Sequence, residues 1–523
     1  MGLKTDGFFM LLSIVLINSV RGYAVILLEP FLMAYCILRV LFILNNRLTT
    51  YLILFLILAF GVYELFHGYS QLFHYLGKGR GQDMIVGNFS SSGPFGCFLS
   101  VCCGLWVVVY TRSARQIIRF SSAVLAFLSF VLMTCTFSRA AVISFLVSML
   151  FLAMKSKKTA AFIRKYRAYL LLMAVFIGTG AYLIKKPSAD GRMLMARIGL
   201  RIMKENGLSS VGLGNYSGTY GKAQAKLFED YLVNGTDDMD ISNIPENLRM
   251  RAGCPEYCFN EYLRVGIESG PVSMLLLICL VTAGIACLYG NDCIWCYPLV
   301  SISLFACFSY PFEVGVLTLL FIICLASNGP GTDKRSRGIM FYSLLFMVYG
   351  SVFYVRYPSI DRAFEDSASS FIDCFCGNRH KTFVVQDNSV LYDGLYDEKM
   401  LFAIGQSLNK GGEYEKSDSV LRLGTEISSD PMFWNVMGNN SLAQGKYREA
   451  ESRYKQAFYM VPNRLYPLYL LAKLYHEEGD TARFLDMAGR IEVFVPKVES
   501  VNTDRLRSEI RELKSGFYGQ TNR

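Results

Sequence analysis

Residues 190–228 read DGRMLMARIGLRIMKENGLSSVGLGNYSGTYGKAQAKLF and residues 256–270 read EYCFNEYLRVGIESG. They bound the longest polar stretch in the first two thirds of the chain, 190–270, which carries an arginine-rich beginning, a Gly212–Leu213–Gly214 turn, the acidic Glu229, Glu246 and Glu256, and an Asn260–Glu261 pair that leads straight into an apolar run. The stretch decides the fold because nearly everything around it, up to residue 355, is apolar. A polar segment of this length between apolar runs is a large aqueous loop of a membrane protein.

Outward from that loop, the chain is 53% hydrophobic and 18% charged, too apolar for an ordinary soluble protein of 523 residues. A hydrocarbon core about 30 Å thick needs roughly 17–25 apolar residues per helix, and about eleven runs approach that requirement. Seven precede the loop, at 7–20, 23–44, 51–66, 95–110, 120–135, 140–154 and 168–184. Four follow it, at 272–289, 294–310, 314–326 and 339–355. The first run is short enough for a signal-peptide core but lacks a small-residue cleavage site. Three connections are basic, with Arg112, Arg115 and Arg119, then Lys155, Lys157, Lys158, Arg164, Lys165 and Arg167, then Lys334, Arg335 and Arg337. Short basic loops stay in the cytoplasm, and with this count all three fall on one side. The N-terminus is then expected in the cytoplasm. The loop 190–270, Arg139, the 67–94 connection and everything beyond residue 355 are expected outside, in the periplasm of a cell with two membranes.

The net charge of +10 is explained by those loops rather than by nucleic acid, which would call for clustered cations on a soluble surface. Most of the 15 cysteines lie in apolar runs, where Cys packs as a small hydrophobe. The one CxxC, Cys293 to Cys296, opens an apolar run with no second pair and no nearby His, and reads as packing rather than a metal or redox site. Cys254 with Cys258, and Cys374 with Cys376, are compatible with bridged or free states.

After a linker at 356–391 the composition turns soluble, and residues 392–523 repeat with a period of about 34. In the best copy Trp434, Gly438, Gly445, Tyr447, Ala450, Tyr454, Ala457 and Pro462 fall where a tetratricopeptide helix pair places its packing residues. Weaker copies carry Gly412, Tyr414 and Leu421, and Leu471, Ala472, Tyr475 and Gly479. The expected fold is therefore all-α: a polytopic membrane helix bundle over 1–355 with a large outer loop, and a C-terminal α-solenoid. Stacked helix pairs bind peptides or other chains, or act as a rigid spacer or oligomer contact.

Each candidate site residue has two readings. Arg139, in SerArgAlaAla at an outer boundary, is either a guanidinium placed for phosphate oxygens or an arginine that snorkels to lipid headgroups. Arg197 and Arg201 are four apart and share a helical face, with Arg192 about one and a half turns earlier. That strip either holds a diphosphate or belongs to an amphipathic interfacial helix at 193–203, and the two are compatible. Gly212 and Gly214 permit a close backbone approach or positive φ, though a lone GxG is more often a turn than a phosphate cradle. Asn260, Glu261 and Glu268 open the eighth span. Glu261 either orients and deprotonates an acceptor hydroxyl, as Glu268 could, or pairs with Arg264 three residues on.

Taken in order, GlyAsnPheSerSerSerGlyProPheGly at 87–96, SerArgAlaAla at 138–141, GlyArg at 191–192, GlyLeuGlyAsnTyr at 212–216, AsnGluTyrLeu at 260–263 and GluSerGly at 268–270 resemble the O-antigen ligase and polymerase superfamily. The resemblance covers residues 50–330 or so. It implies a polytopic enzyme of the bacterial inner membrane that takes a glycan from undecaprenyl diphosphate on the outer face. The acceptor it implies is lipid A core, a protein Ser/Thr or another glycan chain, with no metal, nucleotide or other cofactor. On that footing Arg139, Arg192, Arg197 and Arg201 stabilise the departing diphosphate, and a carboxylate near Asn260 activates the acceptor. Many ligases carry a His just before the Asn; here it is Phe259, and the loop has no His. The base is then Glu261, Glu268, or His67 or His74 from the 67–94 connection.

The repeats favour a protein acceptor or protein partner. Asp366–Ser367–Ala368, Asp418–Ser419–Val420 and Asp480–Thr481–Ala482 also look like Asp-Ser/Thr-aliphatic glycosylation sites. A polysaccharide polymerase is the alternative within the superfamily. A non-enzymatic export or assembly scaffold is the alternative outside it.

Overall fold

The computed structural model describes residues 2–19, 24–78, 85–184, 186–233, 241–327, 338–351 and 398–521. The linker at 356–391, the Asp366–Ser367–Ala368 triplet, the Lys334–Arg335–Arg337 loop and Cys374 with Cys376 lie outside the described residues. Within them every regular element is helical. The chain forms two compact units, one of Met1–Val20, Val25–Lys186 and Cys258–Val355, the other of Arg21–Ala24, Pro187–Tyr257 and Arg356–Arg523. The polar stretch thus falls mostly with the C-terminal helices, and its last residues, from Cys258, with the apolar helices.

In the first unit the apolar runs become helices. Those at 23–44 and 51–66 merge into Ala24–Lys78, broken at Asn45 by a φ of −153° and ψ of 86°. Ser92–Arg112, Gln116–Cys135, Arg139–Ala153 and Lys157–Ile184 follow, then Glu261–Ser269, Pro271–Gly290, Cys296–Ala306 and Gly315–Ala326. Four described helices are long and apolar enough to cross a membrane, or up to five if the pair Arg139–Ala153 and Lys157–Tyr169, bent by 117°, is one span. That is fewer than the eleven runs suggest. Part of the shortfall is merging, since two runs form the single helix Ala24–Lys78, and part is helix length: Cys296–Ala306 has 11 residues and Gly315–Ala326 has 12, and at about 1.5 Å per residue neither reaches about 30 Å. The chain leaves the helix after Ala306 and turns through Pro311–Glu313.

The sidedness of this unit is that of a protein in lipid. Large apolar side chains face outward, with Phe55 at 69%, Phe66 at 79% and Phe120 at 73% exposure. Small polar residues are buried between helices instead. Ser100 lies 2.9 Å from Ser301, and the Tyr297 hydroxyl donates to the Ser100 carbonyl at 3.0 Å. Such interhelical hydrogen bonds add to van der Waals packing where burying apolar surface gives no gain. At one end of the unit Asp292 pairs with Arg112 at 3.2 Å and Lys155 at 2.6 Å. The same three ion-paired residues follow or close the helices ending at Arg112, Ala153 and Gly290, so those helices share an end and their other termini lie together at the opposite one.

In the second unit, helices Glu398–Lys410, Tyr414–Ile427, Met432–Ala443, Tyr447–Met460, Tyr466–Glu478, Thr481–Val493 and Val501–Thr521 pack each on the next. Ala450 and Ala457 are fully buried, as the close approach of neighbouring helices requires. Asp418 ion-pairs with Arg453 at 2.6 Å, and the Asp480 side chain accepts from the Arg483 N–H at 3.0 Å. Both aspartates of the Asp-Ser/Thr triplets here therefore have structural work. Cys254 and Cys258 are free thiols, as are Cys293 and Cys296.

The C-terminal helices enclose part of the polar stretch. Helix Tyr216–Val233 packs on Tyr414–Ile427 and Tyr447–Met460, and Ala225, Phe228, Leu232, Ile244 and Ala252 share a core with Tyr454, Phe458 and Leu468. Gln224 donates to the carbonyls of Gly253 at 2.9 Å and Met460 at 2.6 Å, and Asn463 donates to those of Arg249 and Ala252, both at 2.9 Å. One surface of the C-terminal helices is thus occupied by the chain's own loop. Gly218 sits at the closest approach, where a Cβ would run into the backbone of Glu426. Gly218→Val is expected to loosen this packing by about 1–3 kcal/mol. Limited proteolysis should then cut residues 216–257 faster, and an unchanged cleavage rate would refute the contact.

Candidate active site

The site is built at the end of the first unit opposite Asp292. Asn260 caps helix Glu261–Ser269, its side chain accepting from the Leu263 N–H at 3.0 Å. This fixes Glu261 at the first helical position, ahead of the apolar helix Pro271–Gly290 and fully buried. Its Oε1 accepts from the Phe312 N–H at 3.0 Å and its Oε2 from Arg264 Nε at 2.7 Å. Arg264 also pairs with Glu313, and its Nη1 lies 3.7 Å from Glu268 Oε2. Three carboxylates thus surround one guanidinium. Burial pushes the Glu261 carboxyl up to about 7, the negative charge of Glu313 adding to the rise while Arg264 and the Phe312 N–H oppose it. The side chain of Glu313 is the most open of the three carboxylates, at 28% exposure against 0% for Glu261 and 2% for Glu268.

The turn that carries Glu313 also joins the other motifs. The Tyr310 ring meets Phe259 edge-on at 5.4 Å, and its hydroxyl lies 2.9 Å from Ser91 Oγ. Phe259 therefore supplies a ring contact. Ser91 precedes helix Ser92–Arg112, and two turns of that helix complete the chain of contacts: Gly93 faces Ser309 and Phe305, and Gly96 faces Ser138 and Ala141. Arg139, half-buried, is the first residue of Arg139–Ala153. Motifs at 87–96, 138–141 and 260–270, far apart in sequence, share this end.

Two residues not anticipated from the sequence pin the 87–91 loop. Glu64, fully buried, accepts from the Asn88 side chain at 2.8 Å and the Asn88 N–H at 3.2 Å. Gln71 accepts from the N–H groups of Val86 at 3.0 Å and Gly87 at 2.9 Å, and lies 3.3 Å from His67. Gly87 has a φ of +60°, and a Cβ there would collide with Glu64 and Phe95, so only glycine fits. His74 is exposed on the same helix.

The remaining candidates lie in the second unit. Gly212 and Gly214 have φ of 95° and 84°, the positive values expected, in a turn closed by the Asn215 N–H on the Gly212 carbonyl at 3.3 Å. Arg192, Arg197 and Arg201 all fall on helix Lys186–Asn206. They do not act as a uniform strip: Arg201 is held by Glu205 at 2.9 Å and Asp230 at 3.3 Å, whereas Arg197 is exposed and Arg192 half-buried. No protein-family model, curated protein or solved structure matches the chain.

Proposed function

We propose that this protein is a membrane glycosyltransferase of the O-antigen ligase type, moving a glycan from undecaprenyl diphosphate to an acceptor hydroxyl on the periplasmic face of the inner membrane. The observation that carries the reading is the convergence of the 87–96, 138–141 and 260–270 segments around a buried Glu–Arg–Glu cluster at one end of the apolar unit. In this reading the apolar runs make eleven spans, the shorter helices included, and residues 392–523 are tetratricopeptide-like repeats.

The chemistry is an inverting displacement. The acceptor oxygen bonds to the anomeric carbon as the bond from that carbon to the diphosphate oxygen breaks, and the hydroxyl proton passes to a carboxylate. Glu313 suits that role best, because both oxygens of Glu261 are engaged within the protein. Glu261 and Arg264 then fix Glu313 in position. An acidic cluster repels a diphosphate, so the leaving group needs a separate cation, and Arg139 at a helix N-terminus supplies it.

The acceptor is lipid A core, protein or glycan. The repeats argue less for a peptide platform than their sequence suggests, since part of their surface holds the loop in cis. A deletion strain compared with its parent decides. Loss of glycan from many periplasmic proteins with intact polysaccharide identifies a protein O-oligosaccharyltransferase. Uncapped lipid A core identifies a ligase, and polysaccharide collapsed to single repeat units a polymerase. Unchanged glycans in every fraction would refute transfer and favour an export or assembly scaffold.

A further inference from the structure

Helix Lys186–Asn206 has two faces of different character. Leu194, Ile198, Gly199 and Ile202 are buried, and Asp190 beside them is tied to Arg251 at 2.8 Å. On the other face Met193 and Leu200 are 54% and 60% exposed, and Leu208, just beyond the helix, is 81% exposed. Arg197 and Lys204 are exposed with them. At about 100° per residue, positions 193, 197, 200 and 204 fall within about 60° of arc. The exposed stripe therefore alternates a long apolar side chain with a cation. The acidic Glu205 is exposed too, but it is taken up by Arg201 and lies 3.9 Å from Lys226.

We propose that this stripe rests on a lipid bilayer containing anionic phospholipid, with Met193, Leu200 and Leu208 in the headgroup–acyl boundary and Arg197 and Lys204 on lipid phosphates. Three observations favour lipid over a protein partner. Cations are interleaved with the apolar side chains rather than rimming them, which a protein core contact disfavours but headgroups match. Arg and Lys stems snorkel, so both charges reach phosphates while the apolar groups insert. Finally, residue 185 alone separates this helix from Ile184, the end of the apolar helix Lys157–Ile184. The arginine-rich stretch becomes an interfacial anchor for the polar loop, a role independent of glycan transfer.

The test uses full-length protein in proteoliposomes of phosphatidylcholine and phosphatidylglycerol, with or without dibrominated acyl chains. Leu200→Trp and, separately, Leu208→Trp add one reporter to the 3 native tryptophans, whose emission is subtracted using the parent protein. The added emission is expected to shift to the blue and to fall by about half or more with brominated lipid. Adding Arg197→Glu with Lys204→Glu, or leaving out phosphatidylglycerol, should restore most of it. Leu208 lies outside the helix, so its variant reports even where Leu200→Trp misfolds. Unquenched emission from both reporters would overturn the proposal, as would quenching that ignores both the charge reversals and the lipid charge.

Discussion

Arg139→Ala is expected to lower glycan transfer by about two to three orders of magnitude, the loss typical when a charge-stabilising donor is removed from a transition state, while the protein still accumulates in membranes. In the proposed site Arg139 opens helix Arg139–Ala153. The Thr136 hydroxyl accepts from the Ser138 N–H at 3.3 Å, and Phe137 between them has a φ of 53°. An L-residue enters that region at a cost of about 1–2 kcal/mol, and this turn leads directly into Arg139 at the first position of its helix. Ser138 and Ala141 then abut Gly96, which fixes this helix start against the 87–96 segment. Arg139→Lys keeps the charge but loses the two-pronged fork, and a loss of about tenfold is expected, short of that for Ala. The measurement is the rate at which membrane vesicles consume lipid-linked glycan, normalised to protein by immunoblot. Transfer near the parent rate in Arg139→Ala would mean that the guanidinium only snorkels to headgroups.

The positions of the helices at the apolar runs and in the C-terminal third could be read directly, because composition and period are local properties of a sequence; their lengths could not, since 294–310 yields only Cys296–Ala306 and two runs join in Ala24–Lys78. What else could not be read depends on partners far along the chain. Glu313 stands alone between Pro311 and Val314 and looks like any loop carboxylate; only folding brings it to Arg264, 49 residues earlier. Arg201 lines up with Arg197 by spacing, but Asp230, 29 residues on, claims its guanidinium. Glu64 lies in an apolar run, and its need for a partner was a usable signal, since a buried carboxylate must find donors. The docking of Tyr216–Val233 also left a trace: Tyr216, Tyr220, Phe228 and Leu232 recur at multiples of four and are all buried. Such a stripe announces an apolar face without naming what covers it.

The second large effect concerns Glu261. Glu261→Ala deprives Arg264 Nε and the Phe312 N–H of their acceptor in a buried place, and should destabilise the protein by about 3 kcal/mol. Glu261→Gln retains an acceptor for Phe312 and removes only the charge that Glu261 gains as pH rises through about 7, so it should cost far less. The pH dependence separates charge from shape. A carboxyl raised from its ordinary 4.5 to about 7 holds a proton in the folded state that the unfolded chain has already released. Between those values wild-type stability therefore falls with rising pH, by about 1.4 kcal/mol per unit, and it levels off above about 7. The contribution is fully present below the unfolded value, and Gln lacks it at every pH. In detergent, the wild-type melting temperature minus that of Glu261→Gln should decline from pH 5 to about 7 and then hold constant. A difference that rises over the same range would mean that Arg264 outweighs burial. Glu313→Gln completes the comparison: transfer should fall by about a hundredfold, as for loss of a general base, with little change in melting temperature. If transfer instead tracks melting temperature across all three variants, the cluster is scaffolding and the proton acceptor lies elsewhere.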